Sequence, residues 1–225
     1  MTALLDTWSS DASQEDCMTD EHLWIWREMI AAAPLPRGSD SRVLDIGCNQ
    51  GGFLRVLHDT TPIAEGVGVD LAQDAIQKAE ADKGARPLRY LATPTVSDAG
   101  RDFDIAFSHE VIYLIPDLAE HARQISTVLR PGASYYAVTC CHADNPRWHI
   151  WRDKIAAFSK ISVPNHSITD VVTAFLDTGF EVSAACFLAN AQIPLEGPTD
   201  YFPSAVDRIE IYSRWKTLFR CTWQG

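Results

Sequence analysis

The stretch RVLDIGCNQGGF, residues 42–53, decides the fold. It starts with a short apolar run, which is typical of a buried parallel strand. Three glycines follow between positions 47 and 52, and apolar residues at helical spacing begin at Phe53. Glycines permit a tight turn and let a ligand approach bare backbone, because no Cβ stands in the way. Strand, glycine-rich turn and helix together predict the start of a nucleotide-binding βαβ unit.

Asp45 is the unusual residue of this stretch. A carboxylate at the end of a buried strand is costly unless a cation or several hydrogen-bond donors meet it. Together with Gly47, Asn49 and Gly51 it gives the pattern acid-x-Gly-x-Asn-x-Gly. This pattern resembles the first motif of the class I S-adenosylmethionine (SAM)-dependent methyltransferases. The competing pattern is the dinucleotide fingerprint, with glycines in the first, third and sixth places. Gly52 fits it, but Asn49 stands at its middle glycine and Asp45 has no role in it.

Further family-like patterns follow in the same order along the chain. Residues 64–70 and 88–92 predict the second and third strands, and residues 103–108, followed by HEVIYL, predict the fourth. The stop LRPG, followed by a strand over 134–140, resembles the family's LxPGG turn, with Ala133 in place of the last glycine. The resemblance therefore covers residues 42–140.

The resemblance implies a doubly wound α/β fold. We expect a seven-stranded, mostly parallel sheet in the order 3-2-1-4-5-7-6, with helices on both faces and an antiparallel last strand. We expect residues 1–40 to form a cap segment with one helix that begins near Thr19 or Asp20, and residues 41–225 to form the methyltransferase domain. The aromatic face of the cap helix either packs on the sheet edge or forms a lid. Residues 141–166 and 190–215 are the expected substrate-pocket inserts.

The resemblance also implies a SAM site. Asp45 would lie near the methionine ammonium, and Asp70, at the end of the second strand, would accept hydrogen bonds from both ribose hydroxyls. The alternative role for Asp70 is to cap the next helix. Thr93 and Pro94 stand where the family commonly has an acid beside the adenine, and Asp98 is a possible substitute. The expected cofactor residues are Asp45, Gly47, Cys48, Asn49, Gly51, Asp70, Leu71, Thr93, Ser108 and His109.

The chemistry needs few catalytic groups. Methyl transfer from a sulfonium is an in-line displacement, so positioning and exclusion of water matter more than a fixed triad. A general base is needed only for an acceptor that is protonated at the working pH. His109 and Tyr113 are the catalytic candidates, because the segment after the fourth strand borders the transferred methyl group in this family. His142 and His149 could face the same cleft, and the alternative for each histidine is a structural role.

Composition limits the partners. The 225 residues carry a formal net charge of −11, which disfavours nucleic acid and anionic membranes and favours a neutral, zwitterionic or cationic small molecule. No apolar run is long enough to span a bilayer, and the N-terminus lacks the basic lead of a secretory signal, so we expect a cytoplasmic protein. The six cysteines include no Cys-x-x-Cys pair, so we expect neither a metal site nor disulfides.

We therefore expect a SAM-dependent methyltransferase that acts on a small molecule, and a homodimer is a possible assembly. Three alternatives stay open. One is an NAD(P)-dependent oxidoreductase built on the same βαβ start. Another is a SAM-binding regulator or assembly partner without catalysis. The last is methyl transfer to a protein, for which an acidic surface would suit a basic target. The sequence leaves the acceptor atom open among O, N, S and C.

Overall fold

The structure is a computed structural model that describes residues 4–9 and 13–225, with residues 13–21 as backbone only. In this part of the chain seven strands form one sheet in the order β3-β2-β1-β4-β5-β7-β6. β7 runs antiparallel to both of its neighbours, and the other pairs are parallel. The predicted fold class and strand order are confirmed. The strands are β1 Arg42–Ile46, β2 Glu65–Asp70, β3 Leu88–Ala92, β4 Phe103–His109, β5 Leu129–Thr139, β6 Phe180–Cys186 and β7 Thr217–Trp223.

Helices cover both faces of the sheet. They are α1 Ser13–Ala32, α2 Gly52–Thr60, α3 Gln73–Asp82, α4 Leu118–Val128, α5 Trp148–Phe158, α6 Ile168–Asp177 and α7 Ala205–Glu210, and α7 continues as a π-helical turn, Ile211–Trp215. The predicted start of α1 near Thr19 or Asp20 is wrong, because the helix already begins at Ser13. Its first turn contains Glu15 and Asp16, residue types that suit the positive end of a helix dipole.

The predicted turn at residues 129–132 lies inside a strand. β5 begins at Leu129, which pairs with Phe103, and the next pair joins Ser134 to Ile105. The residues between Leu129 and Ser134 therefore bulge out of the ladder, and Gly132 has a φ of 81° there. Glycine tolerates this left-handed conformation, so the sequence marked the irregularity correctly but assigned the strand start too late.

Side chains alternate between two cores, one on each face of the sheet. Leu44 and Ala106 lie in the core that α4 and α6 cover. Their neighbours Val43 and Phe107 lie in the other core, together with apolar residues of α1, α2 and α3. Because α1 shares a core with the sheet, the proposed boundary at residue 40 separates parts that pack together, and it stays a prediction.

Asp104, near the start of β4, joins three segments of the chain. Its carboxylate, 4% exposed, accepts a hydrogen bond from the Arg42 backbone N–H at 2.8 Å and one from the Arg130 guanidinium at 2.7 Å. Arg37 lies 3.7 Å from the same carboxylate. This buried acid holds the bulged start of β5 against β1 and β4.

We predict that Asp104→Ala lowers the free energy of unfolding by about 1–3 kcal/mol, because buried donors lose their acceptor. Urea denaturation at neutral pH measures the change. Asp59→Ala is the matched control, since Asp59 pairs with Arg86 at 2.7 Å but its side chain is 54% exposed. That exposed pair contributes about 0–1 kcal/mol. Equal losses in the two variants would contradict the role of Asp104.

Candidate functional site

One large cavity opens where β1, β2 and β4 end. Residues 45–50, 69–71, 93–96 and 109–111 contribute to its wall, and its volume is about 1370 Å³. Ligand pockets commonly measure roughly 300–1,000 Å³, so this cavity has room for a nucleoside cofactor and a second small molecule. Its place outside the carboxyl ends of the strands is the usual ligand position in open α/β sheets.

The glycine turn after β1 is held in a left-handed backbone. Gly47, Asn49 and Gly51 have φ values of 71°, 45° and 71°. The N–H groups of Gly47 and Cys48 donate to the Val69 carbonyl at 2.8 and 3.1 Å, which ties the turn to β2. Gly47, Cys48 and Asn49 line the cavity, as the sequence predicts.

Gly51 ends the turn. It caps the N-terminus of α2 and is not among the residues of the cavity wall. A Cβ at this position would lie 2.5 Å from the Tyr90 ring, whose hydroxyl donates to the Gly51 carbonyl at 3.0 Å. Gly51 therefore allows the close packing of the turn against Tyr90, and its contact with the cofactor stays a prediction.

Asp45 is a buried acid in the cavity wall. The residue is 4% exposed. Within the described part of the chain, its Oδ2 atom has no hydrogen-bond partner. Burial raises the pKa of this carboxyl to about 8, and the nearby charge of Asp70 adds to the effect. A cation placed here would pair with an oxygen that the fold leaves unsatisfied.

Asp70 stands beside it at the end of β2. The Asn49 N–H donates to its Oδ2 and the Ala72 N–H to its Oδ1, both at 2.9 Å. Burial raises the pKa of Asp70, and these backbone hydrogen bonds oppose that shift. The N-cap of α3 is Ala72 and not Asp70, so the capping alternative is wrong. Each carboxylate oxygen can accept a further hydrogen bond from the cavity side.

The loop after β3 forms the next section of the wall. The Thr93 N–H donates to the Asp70 carbonyl at 2.9 Å, and its hydroxyl donates to Asp98 Oδ2 at 2.5 Å. Thr93 and Pro94 line the cavity, whereas Asp98 does not. Asp98 therefore orders this loop from outside. Leu71 also lines the cavity.

Residues 4–9, here called the strap, cross the outer edge of the cavity. Leu5 N–H donates to the Leu71 carbonyl at 3.0 Å, and Leu5 accepts from Gln73 N–H at 2.8 Å. At the other end the Trp8 carbonyl accepts from Lys160 N–H at 2.9 Å. The strap thus joins the β2–α3 turn to the residues after α5, and the Trp8 side chain contributes to the wall.

Ser108 and His109 point to opposite sides of β4. Ser108 is buried behind the wall, where its hydroxyl lies 2.6 Å from the Tyr135 hydroxyl, and it does not line the cavity. His109 lines the cavity, and its Nδ1 accepts from Trp26 Nε1–H at 3.2 Å. Burial lowers the pKa of His109 well below the usual value, so the ring is neutral. Because Nδ1 is the acceptor, the proton is on Nε2.

The other catalytic candidates separate into two groups. Tyr113 lines the cavity and packs edge-on against Trp148, with ring centroids 5.5 Å apart. Burial raises the pKa of Tyr113 well above the usual value, which keeps the phenol protonated. His142 instead lies 2.8 Å from the Trp215 carbonyl, and His149 is exposed on α5. Neither histidine lines the cavity, so the expectation that they face the cleft is wrong.

Glu110 and Lys216 form a buried ion pair that the sequence did not reveal. Lys216 Nζ donates to Glu110 Oε1 at 2.5 Å, and Thr139 Oγ1 donates to Glu110 Oε2 at 2.6 Å. Glu110 has a φ of 53°, which is rare for this residue type. Burial alone would raise the pKa of Glu110, but Lys216 holds it below the usual value. The two residues are far apart in the chain, so no local pattern pairs them.

The methyltransferase domain family model matches residues 22–185. The chain belongs to the methyltransferase domain family. The class I SAM-dependent methyltransferase family expected from the first motif is thereby confirmed, and the Rossmann-like fold agrees with it. In addition, no helix in the described ranges is long and apolar enough to cross a membrane.

Several curated proteins are similar to this chain, and two of the three described here are named methyltransferases. The biotin biosynthesis bifunctional protein BioCD of Bordetella avium is 30% identical over 58% of this chain and 29% of its own length. The malonyl-[acyl-carrier protein] O-methyltransferase of Pseudescherichia vulneris is 25% identical over 58% of this chain and 52% of its own length. The chain therefore spans about half or less of these two relatives. The trans-aconitate 2-methyltransferase of Variovorax paradoxus is 23% identical over 89% of this chain and 69% of its own length.

Solved structures show the same architecture. A methyltransferase in complex with the Trm112 methyltransferase activator of Haloferax volcanii has a TM-score of 0.79 and 25% identity, and the match covers 100% of this chain and 99% of that one. The geranyl diphosphate C-methyltransferase of Streptomyces coelicolor, solved with S-adenosyl-L-homocysteine, has a TM-score of 0.63 at 16% identity. The match covers 91% of this chain and 80% of that one. At an identity this low, the similarity supports the fold alone.

SAM fits the residues at the cavity wall. The unpartnered Asp45 oxygen suits the ammonium of its methionine part, and Asp70 suits the ribose hydroxyls. The glycine turn offers backbone between the two acids. Crystals of related methyltransferases contain SAM, S-adenosyl-L-homocysteine or sinefungin, in agreement with SAM as the cofactor of this family.

We predict that Asp45→Asn becomes more stable relative to the wild type as the pH rises from about 5 to about 8 without cofactor. In this range the unfolded carboxyl ionises, but the folded carboxyl, with its pKa raised to about 8, keeps its proton. The folded wild type binds more protons, so its stability falls with pH, and the variant lacks this loss. Melting temperatures over the pH series measure it, with Asp59→Asn as the control. A difference that does not change with pH would contradict the buried state of Asp45.

Proposed function

We propose that the protein transfers a methyl group from SAM to an oxygen atom of a small organic acceptor. The observation that carries the proposal is the pair of acids at the ends of β1 and β2, one of which keeps an unpaired buried oxygen beside the glycine turn. Family membership supports methyl transfer, and a cavity of about 1370 Å³ supports a small acceptor next to the cofactor. Oxygen as the acceptor atom agrees with relatives named for O-methyl transfer.

The proposed cofactor residues are those that reach the cavity: Asp45, Gly47, Cys48, Asn49, Asp70, Leu71, Thr93 and His109. When bound, SAM supplies an electrophilic methyl group on a sulfonium. Asp45 orients the methionine part of SAM, and Asp70 orients its ribose. Burial raises the pKa of the Cys48 thiol, so this side chain acts as a neutral wall. Trp8 of the strap and Trp24 and Trp26 of α1 line the same cavity, so we propose that these two segments limit the access of water to the site.

We propose that His109 and Tyr113 position the acceptor and do not remove a proton. His109 offers an Nε2–H donor, Tyr113 keeps its phenol proton, and Glu110 is already paired with Lys216. None of these three lining groups, within the described chain, is matched to accept a proton near neutral pH. An acceptor oxygen that is already ionised in solution, such as a carboxylate, suits this site.

We predict that Asp45→Asn and Asp70→Asn each weaken binding of S-adenosyl-L-homocysteine by about tenfold or more, the loss expected for a hydrogen bond to a charged group. Isothermal titration calorimetry measures the affinity, and Asp59→Asn is the control. At pH 7 the wild type should also release a proton on binding, because Asp45 must ionise to pair with the ammonium. Buffers with different ionisation enthalpies detect this release. Intact affinity in either acid variant would remove that acid from the site.

We predict that labelled methyl groups from SAM enter carboxylic acids, as base-labile esters, in a screen that also contains phenols and amines. His109→Gln and Tyr113→Phe should lower the rate, because the acceptor is less well positioned, without adding or removing a step in the pH–rate profile between about pH 6 and 8. Scintillation counting of extracted products measures the transfer. A pH-dependent step in the transfer rate that disappears only in His109→Gln would show that His109 acts as a general base.

The neighbour from Haloferax volcanii favours a second candidate. That methyltransferase was solved in complex with a Trm112 activator, and its match covers this chain from end to end. We propose, as the alternative, that this chain also works with an activator of the Trm112 kind and methylates a larger acceptor. The acceptor screen, repeated with Haloferax volcanii Trm112 and a protein extract, separates the two candidates. A homodimer stays a prediction.

A further inference from the structure

Three aromatic side chains in the cavity wall contact one another in series. Trp24 contacts Tyr212 edge-on with ring centroids 5.4 Å apart, and Tyr212 contacts Phe202 at 5.2 Å. All three line the cavity. We call Trp24, Tyr212 and Phe202 the aromatic row. Rings in such a row offer an apolar surface for a flat or aliphatic body of a ligand.

Arg208 stands at the Phe202 end of the aromatic row. Its guanidinium carbon lies 4.9 Å from the Phe202 ring centroid, and its side chain is 10% exposed. Its ion-pair partner is Glu196, at 3.1 Å, and the Glu196 side chain is 68% exposed. A guanidinium has five N–H donors in a planar fork that matches a carboxylate or phosphate. The partner at the surface is weakened by water and salt, so the cation inside the cavity is incompletely compensated.

Lys216, another cation in the cavity wall, shows the contrast. Lys216 is 2% exposed and lies 2.5 Å from Glu110, which is itself 17% exposed. Both partners are enclosed, so the charge of Lys216 is matched inside the protein. Arg208 lacks such an enclosed counterion among the described residues, and its donors face a space that a ligand can enter.

We propose that the methyl acceptor is an organic anion: a carboxylate or phosphate group other than the oxygen that is methylated binds Arg208, while the apolar body of the acceptor lies along the aromatic row. This inference rests on the proposed function only in naming the ligand as the acceptor. It makes Arg208 the residue that selects the charge of the acceptor. Glu196 then competes with the ligand for the guanidinium, as a gate at the mouth of the cavity.

Calorimetric titration of the protein saturated with S-adenosyl-L-homocysteine tests the proposal. The probes are 3-phenylpropionate, the neutral 3-phenylpropionamide, phenyl phosphate, acetate and 2-phenylethylamine. We expect 3-phenylpropionate to bind roughly 10- to 100-fold more tightly than its amide, the range for hydrogen bonds to a charged group. Acetate should bind more weakly than 3-phenylpropionate, because it has no body for the aromatic row. Tighter binding of phenyl phosphate would identify the anion as a phosphate. Preference for the amide or the amine would overturn the proposal.

Variants with opposite expectations separate recognition from folding. Arg208→Gln should lose the preference for the anion, and Arg208→Lys should keep part of it. Glu196→Gln, at an exposed position, should bind 3-phenylpropionate more tightly than the wild type. Arg214→Gln is the matched control, because Arg214 is 69% exposed and pairs with Glu210 on the same helical segment. Unchanged or weaker binding in Glu196→Gln would overturn the proposal even if Arg208→Gln does not fold.

Affinity for S-adenosyl-L-homocysteine, measured in the same variants, distinguishes a failure of the acceptor proposal from a failure of the proposed function. Loss of the anion preference with intact cofactor binding is the expected result in Arg208→Gln. Equal binding of 3-phenylpropionate by wild type and Arg208→Gln, with cofactor binding intact, would overturn the role of Arg208 and leave the proposed methyl transfer standing. Failure of cofactor binding in the wild type would overturn the proposed function instead.

Discussion

Two acids end neighbouring parallel strands, and the rest of the site depends on how the chain tolerates them. Burial opposes the ionisation of both Asp45 and Asp70, and the charge of Asp70 adds to this effect at Asp45. Asp70 is compensated by backbone N–H groups of the turn and of the α3 start. Asp45 has no such compensation at Oδ2 within the described residues. A fold selected for stability alone would place an apolar residue there, so the strain indicates a binding role.

The left-handed turn follows from this constraint. To bring the Asn49 N–H onto Asp70, the chain must reverse directly after β1, with three residues at positive φ. Val111 and Tyr90 then fill the space where side chains at Gly47 and Gly51 would stand. The turn is therefore packed from behind and open in front. The helix α1 and the strap add the outer wall, and the Trp26–His109 hydrogen bond joins that wall to the end of β4.

The sequence predicted what depends on local pattern and missed what depends on distant partners. Apolar runs and the glycine turn predicted the first strand, its turn and the following helix, because period and turn chemistry are local properties. The strand order was implied by the resemblance of the ordered motifs to the methyltransferase family, and the structure confirms it. The two-residue period of a strand predicts that Ser108 and His109 point to opposite sides of β4, and of these two only His109 lines the cavity. Lys216 and Arg208 could not be recognised, because their roles come from Glu110 and Glu196 across the fold. The start of α1 was predicted too late, because Thr19 and Asp20 are both residue types that cap helices, whereas the helix begins at Ser13.

The negative net charge and the proposed anionic acceptor are compatible for a physical reason. A formal charge of −11 describes the field far from the protein, and salt screens that field within about 10 Å. Inside a cavity the nearest unscreened charges determine which ligand binds. The charges of the enclosed pair Lys216–Glu110 compensate each other, whereas the partner of Arg208 is an exposed acid. An acidic surface and an anion-binding cavity are therefore compatible. The acidic exterior slows the approach of an anionic ligand, whereas Arg208 stabilises it once it has entered, so the interior and the surface act on different steps of binding.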